Sequence, residues 1–280
     1  MSEKKNIAAS IRARLLNRAR AENFDFNLML TRYALERLLY RLSVSAWADQ
    51  FLLKGALLFD LWFDQPHRPT RDIDLLGFGP AELDHLLTVF RHICGLPCED
   101  GMIFDQSSVR VAEIRKEANY GGIRITLSGV LNDARCAVQV DVGYGDAVTP
   151  APETASFPVL LDDLPHPTLR VYPVYTVVAE KYQAMVNLGI ANTRMKDYFD
   201  LWILAQHAEL DRNVLTDAIA ATFERRGTIL PTDAPLGLSK AFSGDPIKRQ
   251  QWKAFLSKNK LVAPDLDEVI AELQKLLICN

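Results

Sequence analysis

Residues Phe51–Phe78, FLLKGALLFDLWFDQPHRPTRDIDLLGF, decide how the rest of the chain is read. A short apolar run, Phe51-Leu52-Leu53, leads to Lys54-Gly55, and a second apolar segment, Ala56 to Phe63, follows. After a polar turn with Pro66 and Pro69 the stretch ends on Arg71-Asp72-Ile73-Asp74-Leu75-Leu76. Alternate side chains of a strand share a face. Asp72 and Asp74 therefore point one way, with Ile73 and Leu75 pointing into a core. Two neighbouring carboxylates repel unless a cation lies between them. Hard divalent cations such as Mg²⁺ take oxygen ligands of this kind and also hold phosphate oxygens.

An isolated Asp-x-Asp also fits a solvated strand end, so a third carboxylate matters. Residues 136–143 read Cys-Ala-Val-Gln-Val-Asp-Val-Gly, which places Asp141 on the face of Gln139 and opposite Val138. An Asp enclosed by β-branched residues is costly to bury unless it is paired or metal-bound. A glycine turn after a strand, then Asp-x-Asp, then a single Asp on a later strand resembles the order in nucleotidyltransferases of the DNA-polymerase-β type. That resemblance implies three carboxylates holding two Mg²⁺ ions around a nucleoside triphosphate.

The chain has 280 residues, 49% of them hydrophobic and 24% charged, with a formal net charge of −3. This is globular composition, long enough for one large domain or two. No apolar run approaches the roughly 20 residues of a membrane span. The N-terminal MSEKKNIAASIRARLLNRAR is basic and helical in pattern and lacks the apolar core of a secretory signal. Cys94 and Cys98 are separated by three residues without a second pair or a histidine cluster, and Cys136 and Cys279 are scattered. The thiols fit a cytoplasmic protein better than a zinc site. A nucleic-acid partner would need a local basic patch, because the whole chain is slightly acidic. The basic N-terminal helix and the run Lys248, Arg249, Lys253, Lys258 and Lys260 are candidates, and a solvated helix face is the plainer reading of each.

Periodicity predicts helices over residues 26–42 and 81–94 and a hairpin over residues 109–131, split at Asn119-Tyr120-Gly121-Gly122. A mixed or antiparallel sheet with helices packed on it is expected through about residue 150. Pro150, Pro152, Pro158, Pro165, Pro167 and Pro173 then crowd a segment read as a crossover. The expected division is residues 1–150, N-terminal helices and sheet domain, and 151–280, crossover and mainly helical domain. Helices are predicted over residues 176–188 and from Met195 to about Gln206, the latter with a cap at Thr193.

Four stretches carry a more specific likeness: Leu53-Lys54-Gly55-Ala56; Thr70-Arg71-Asp72-Ile73-Asp74; Val140-Asp141-Val142-Gly143-Tyr144-Gly145-Asp146; and Ala179-Glu180-Lys181-Tyr182 with Met195-Lys196-Asp197-Tyr198-Phe199-Asp200-Leu201. In this order they resemble the nucleotidyltransferase AbiEii toxin family, which includes the MenT toxins of mycobacteria. The likeness continues into Thr222-Phe223-Glu224-Arg225-Arg226-Gly227-Thr228. It implies an α+β fold, with a polymerase-β-like nucleotidyltransferase domain and a helical C-terminal domain. It also implies an enzyme that transfers a nucleotide from an NTP with Mg²⁺ or Mn²⁺, acts on RNA such as the tRNA acceptor end, and is opposed by a cognate antitoxin.

By the same resemblance Asp72, Asp74 and Asp141 are metal ligands and catalytic, Lys54 and Gly55 lie at the phosphates, and Lys181 neutralises phosphate charge. Lys196, Asp197 and Asp200 complete the nucleotide-binding set. The plainer readings are a solvated Lys181 and an intrahelical pair between Lys196 and Asp200, since Asp197 and Asp200 share a helix face. A cleft between the two halves would bring both groups to one site. One departure stands out: the family usually has Gly-Ser where this chain has Gly55-Ala56, so a hydroxyl that helps hold the triphosphate is missing. Backbone N–H groups at a helix start remain available for phosphate. The competing functions are a nucleotidyltransferase that modifies a protein and an inert binding protein that keeps the fold.

Overall fold

The computed structural model describes residues 6–63, 68–114 and 121–278. Pro66, His67, the Asn119-Tyr120 half of the predicted hairpin turn, and Cys279 lie outside them. The chain divides into two compact units that interleave. One holds residues 1–145 and 153–171, the other 146–152 and 172–280.

The first unit opens with helices α1 (Ile7–Ala21) and α2 (Phe26–Ser43), both capped by side chains: Asn6 accepts from the Ala9 N–H and Asp25 from the Leu28 N–H. Strand β1 (Phe51–Lys54) follows, then a tight turn of 3₁₀ helix, Gly55–Leu58, and the single-turn helix α3 (Phe59–Trp62). Strand β2 (Asp72–Gly77) carries the Asp-x-Asp, and helix α4 (Leu83–Gly95) comes next. Strands β3 (Met102–Ile114), β4 (Gly122–Leu131) and β5 (Ala134–Tyr144) form a meander. Asn132, at φ +57°, makes its second turn, a left-handed position that asparagine tolerates.

The proline-rich segment is not featureless. Between its prolines it forms β6 (Glu153–Ser156) and β7 (Thr168–Val171), an antiparallel pair. Strand β7 adds to β1 in parallel, with Leu53 opposite Val171. The result is one mixed seven-stranded sheet in the order β3-β4-β5-β2-β1-β7-β6. Prolines flank these strands without interrupting the ladder, which is where a strand tolerates them.

The sheet has one apolar and one polar face. On β4, Ile123, Ile125 and Leu127 are buried while Arg124, Thr126 and Ser128 are exposed. On β5, Val138, Val140 and Val142 are buried between half-buried Gln139 and Asp141. Ile73, Leu75 and Val140 meet Leu38, Leu39 and Leu42 of α2 and Phe90 of α4. Each such side chain, once fully buried, contributes about 1.5–3 kcal/mol. That packing fixes the register, because a one-residue slip would turn the carboxylates inward.

A polar network pins the loop before β7 to the first two helices. Glu36 accepts from the Leu160 N–H at 2.7 Å, and Arg37 donates twice to the Pro165 carbonyl at 3.1 Å. Arg14 clasps Asp163, and Arg18 reaches the Leu160 carbonyl. Buried Arg41 grips Asp100 at 2.6 and 3.0 Å.

The second unit is helical: α5 (Val174–Leu188), α6 (Met195–His207), α7 (Arg212–Arg225), α8 (Lys240–Gly244), α9 (Pro246–Asn259) and α10 (Leu266–Leu277). Arg226, just past α7, ties this unit together by binding Asp146 at 2.9 Å, Glu180 at 3.3 Å and the Gln183 side-chain oxygen Oε1 at 2.9 Å. The predicted cap at Thr193 is replaced by its neighbour. Buried Asn192 accepts from the Arg194 N–H at 2.8 Å, and Arg194 occupies the cap position. Among the described residues no helix is long and apolar enough to cross a membrane.

Candidate active site

Strand β2 lies between β1, antiparallel to it, and β5, parallel to it. This register sets Lys54 opposite Asp74, Asp74 opposite Asp141, and Asp141 opposite Arg124. Residues directly opposite each other in adjacent strands share a face. Four strands therefore present one charged row in which two carboxylates, Asp74 and Asp141, are flanked by two cations, Lys54 and Arg124. Asp72 lies two residues along β2 from Asp74, opposite Gln139.

The three carboxylates converge. One oxygen each from Asp72, Asp74 and Asp141 lies within 4.8 Å of the other two, and all three residues are half-buried. Three oxygen donors of full negative charge are a hard-cation set and suit Mg²⁺ or Mn²⁺ better than a softer metal. Partial burial raises the cost of their mutual repulsion, which a cation would relieve.

The backbone beside them is shaped to match. Gly55 has φ +77°, a conformation that side chains rarely permit. A Cβ on Gly55 would lie 2.1 Å from Asp74 Oδ2. Glycine thus lets the turn after β1 pass under the Asp74 carboxylate. The apolar segment after Gly55 folds as a 3₁₀ turn followed by a single α-turn.

The fourth member of the charged row had no precedent in the motifs. Arg124 holds Asp141 with both arms of its guanidinium, Nε to Oδ1 and Nη2 to Oδ2, each at 2.8 Å. Gln139 stands alongside; with its carbonyl turned to Arg124 it accepts from Nε at 3.3 Å and Nη2 at 3.2 Å. Asp72 and Asp74 act on the same guanidinium through space. The signal in the sequence was the polar phase of β4, but naming Arg124 required the pairing register with β5.

In the second unit Lys181 is not a solvated helix lysine. Its ammonium donates to Asp197 Oδ1 at 2.8 Å and Asp200 Oδ2 at 2.7 Å. Both carboxylates are almost fully buried, and Arg194 meets the other oxygen of Asp197 at 2.7 Å. Lys196, four residues before Asp200, lies on the exposed side of α6, so the partner that α6 offers Asp200 is outdone by Lys181 from α5. The structure therefore brings Lys181, Asp197 and Asp200 together and leaves Lys196 outside that cluster.

The basic run near the C-terminus is not one patch. Lys248 is buried, donating to the Asn192 carbonyl at 2.9 Å over the Phe242 ring, and Arg249 donates to the Ser243 carbonyl.

A profile of the nucleotidyl transferase AbiEii toxin family, from type IV toxin–antitoxin systems, matches residues 37–272. The chain belongs to the AbiEii nucleotidyltransferase toxin family. It is accordingly a nucleotidyltransferase, the toxin member of a toxin–antitoxin system. Two solved structures share this fold. The crystal structure of JHP933 from Helicobacter pylori matches at a TM-score of 0.52 and 18% identity, covering 89% of this chain and 90% of that one. A second crystal structure from H. pylori, provisionally assigned as a nucleotidyltransferase, matches at 0.53 and 17%, covering 91% and 94%. At these identities the likeness is one of fold. No curated protein sequence matches the chain. The α+β class with a mixed sheet and C-terminal helices, expected from the sequence, agrees with these neighbours.

Proposed function

We propose that this AbiEii-family chain transfers a nucleotide from a nucleoside triphosphate to RNA, at the acceptor end of tRNA, with Mg²⁺ or Mn²⁺ held by Asp72, Asp74 and Asp141. The observation that carries the reading is the convergence of those three carboxylates on the polar face of the sheet. The hollow at Gly55 supports it, since the chain turns there with no side chain against Asp74.

In such a transfer an acceptor hydroxyl attacks the α-phosphorus, the new O–P bond forms, and pyrophosphate leaves. Bound among the carboxylates, the cation would align the triphosphate and offset charge on the attacking and leaving oxygens. Asp72 and Asp74 are assigned to the cation that carries the triphosphate. Asp141 completes the set and orients the acceptor hydroxyl for loss of its proton. Lys54, opposite Asp74, supplies positive charge beside the phosphates, and Gly55 admits them. Lys181 is assigned to phosphate charge, with Asp197 and Asp200 fixing its ammonium and Lys196 adding charge at the surface. A lysine that meets charge developing in the transition state acts on turnover. Ala56 contributes no hydroxyl, so this chain relies on backbone donors at that position.

Incubating the protein with each α-phosphate-labelled NTP, Mg²⁺ and either total RNA or total protein tests the reading. Label in the tRNA fraction is the expected result. Label confined to protein would replace RNA by a protein acceptor, and label in neither fraction would overturn the proposal.

A further inference from the structure

We propose that Arg124 is an exchangeable counter-ion of Asp141: it occupies the third carboxylate in the resting protein, yields it when a cation binds, and passes to the phosphates of the incoming nucleotide. The proposal rests on reading the carboxylates as the nucleotide-transfer site, and it assigns that site a way of refusing cations that arrive without a nucleotide.

The geometry is that of a fork on a fork. Both Asp141 oxygens accept from the guanidinium at 2.8 Å, so the directions in which a carboxylate best grips a cation are already taken. The guanidinium cannot lose its charge near neutral pH. A divalent cation among Asp72, Asp74 and Asp141 would lie a few ångströms from it, and like charges at that range repel. Cation and Arg124 therefore compete for Asp141.

Exchange requires no movement of the backbone. The Arg124 side chain is 44% exposed, while Asp141 is 19% exposed. Its register partner on the outer side is Ala112 of β3, which leaves room for the guanidinium to swing away. With its amide oxygen turned toward Arg124, Gln139 accepts from the same guanidinium and offers it a second hold during the exchange. Once released, the fork has one other well-matched anion within the proposed chemistry, a phosphate. A cation arriving alone must evict Arg124 with no new partner for it. A cation arriving with a triphosphate supplies one.

The test is Mn²⁺ binding to the full chain, by electron paramagnetic resonance or calorimetry, with and without a non-hydrolysable NTP analogue. Arg124→Gln should tighten Mn²⁺ binding in the absence of nucleotide by about two- to fivefold, the range of a partly exposed ion pair. It should also shrink the further tightening that the analogue brings. Arg124→Lys should show a smaller gain, because an ammonium grips one oxygen at a time, and it serves if the Gln variant does not fold. Asp74→Asn should lose Mn²⁺ binding. No gain in either folded Arg124 variant, with Asp74→Asn still lowering binding, would overturn the counter-ion role and leave the metal site standing. Equal Mn²⁺ binding by wild type and Asp74→Asn, with and without the analogue, would overturn both.

Discussion

Gly55 and Asp74 stand so close that no side chain fits between them: a Cβ at position 55 would be 2.1 Å from Asp74 Oδ2. The approach comes from the β1–β2 ladder, which pairs Lys54 with Asp74, and from the left-handed turn that begins at the next residue. Gly55→Ala meets two costs, strain at φ +77° and displacement of the Asp74 carboxylate. The backbone strain alone should lower stability by about 1–3 kcal/mol. Mn²⁺ binding and transfer should fall further than that loss explains. Melting and titration on one preparation check this, and an Ala variant with native Mn²⁺ affinity would show that Asp74 is not held by this turn.

Asp72→Asn and Asp74→Asn each remove one charge from a repelling cluster and keep its shape. Without added cation both variants should melt at or slightly above the wild-type temperature, since like charges are relieved. Transfer should drop at least about a hundredfold, because even outer partners of a metal site cost 10–100-fold when lost. Mg²⁺ should raise the melting temperature of wild type more than that of either variant. Full transfer in either Asn variant would remove these residues from the site.

Lys181→Ala has a different expected signature. It strips the shared partner from two buried carboxylates. Breaking a buried ion pair from one side costs about 3–5 kcal/mol. The variant should therefore melt well below wild type, and its loss of transfer must be read against that fall. Asp197→Asn with Asp200→Asn in the Lys181→Ala background should recover part of the stability without recovering transfer. Recovery of both would leave Lys181 a purely structural role.

Burial pushes the Glu36 carboxyl up to about 7 against the opposing pull of Arg37 and the Leu160 N–H. The folded state thus binds a proton that the unfolded chain releases nearer the ordinary value of 4.5. By linkage the Glu36 contribution is fully present below about 4.5 and is lost as pH rises through about 7. Urea unfolding at a series of pH values should show this decline, and Glu36→Gln should flatten it. An unchanged slope in the Gln variant would assign the pH dependence to other groups.

What the sequence made legible follows from periodicity. Asp72, Asp74 and Asp141 were readable because each stands in the polar phase of an apolar alternation. Asp197 and Asp200 were readable as a helical pair, since i and i+3 share a face, whereas Lys181, on the preceding helix, was named only through the family resemblance. Arg124 was not, because its importance comes from the residue across the ladder, and single-strand alternation carries no register. Strands β6 and β7 were hidden by prolines that bound them. Lys248 read as a surface charge because a buried lysine is uncommon; its partners, Asn192 and Phe242, belong to other elements.

The late arrival of β7 bears on synthesis. In the finished sheet β1 is an interior strand, flanked by β2 and β7. On the ribosome, β2 follows β1 within about twenty residues of chain, whereas β7 ends at Val171. Until then the nascent protein presents Phe51-Leu52-Leu53 as an unpaired apolar edge, the kind of surface that recruits other strands. Cells making this toxin must shelter that edge for the length of more than a hundred codons, and a ribosome stalled in that interval would release a chain prone to aggregate before it could act.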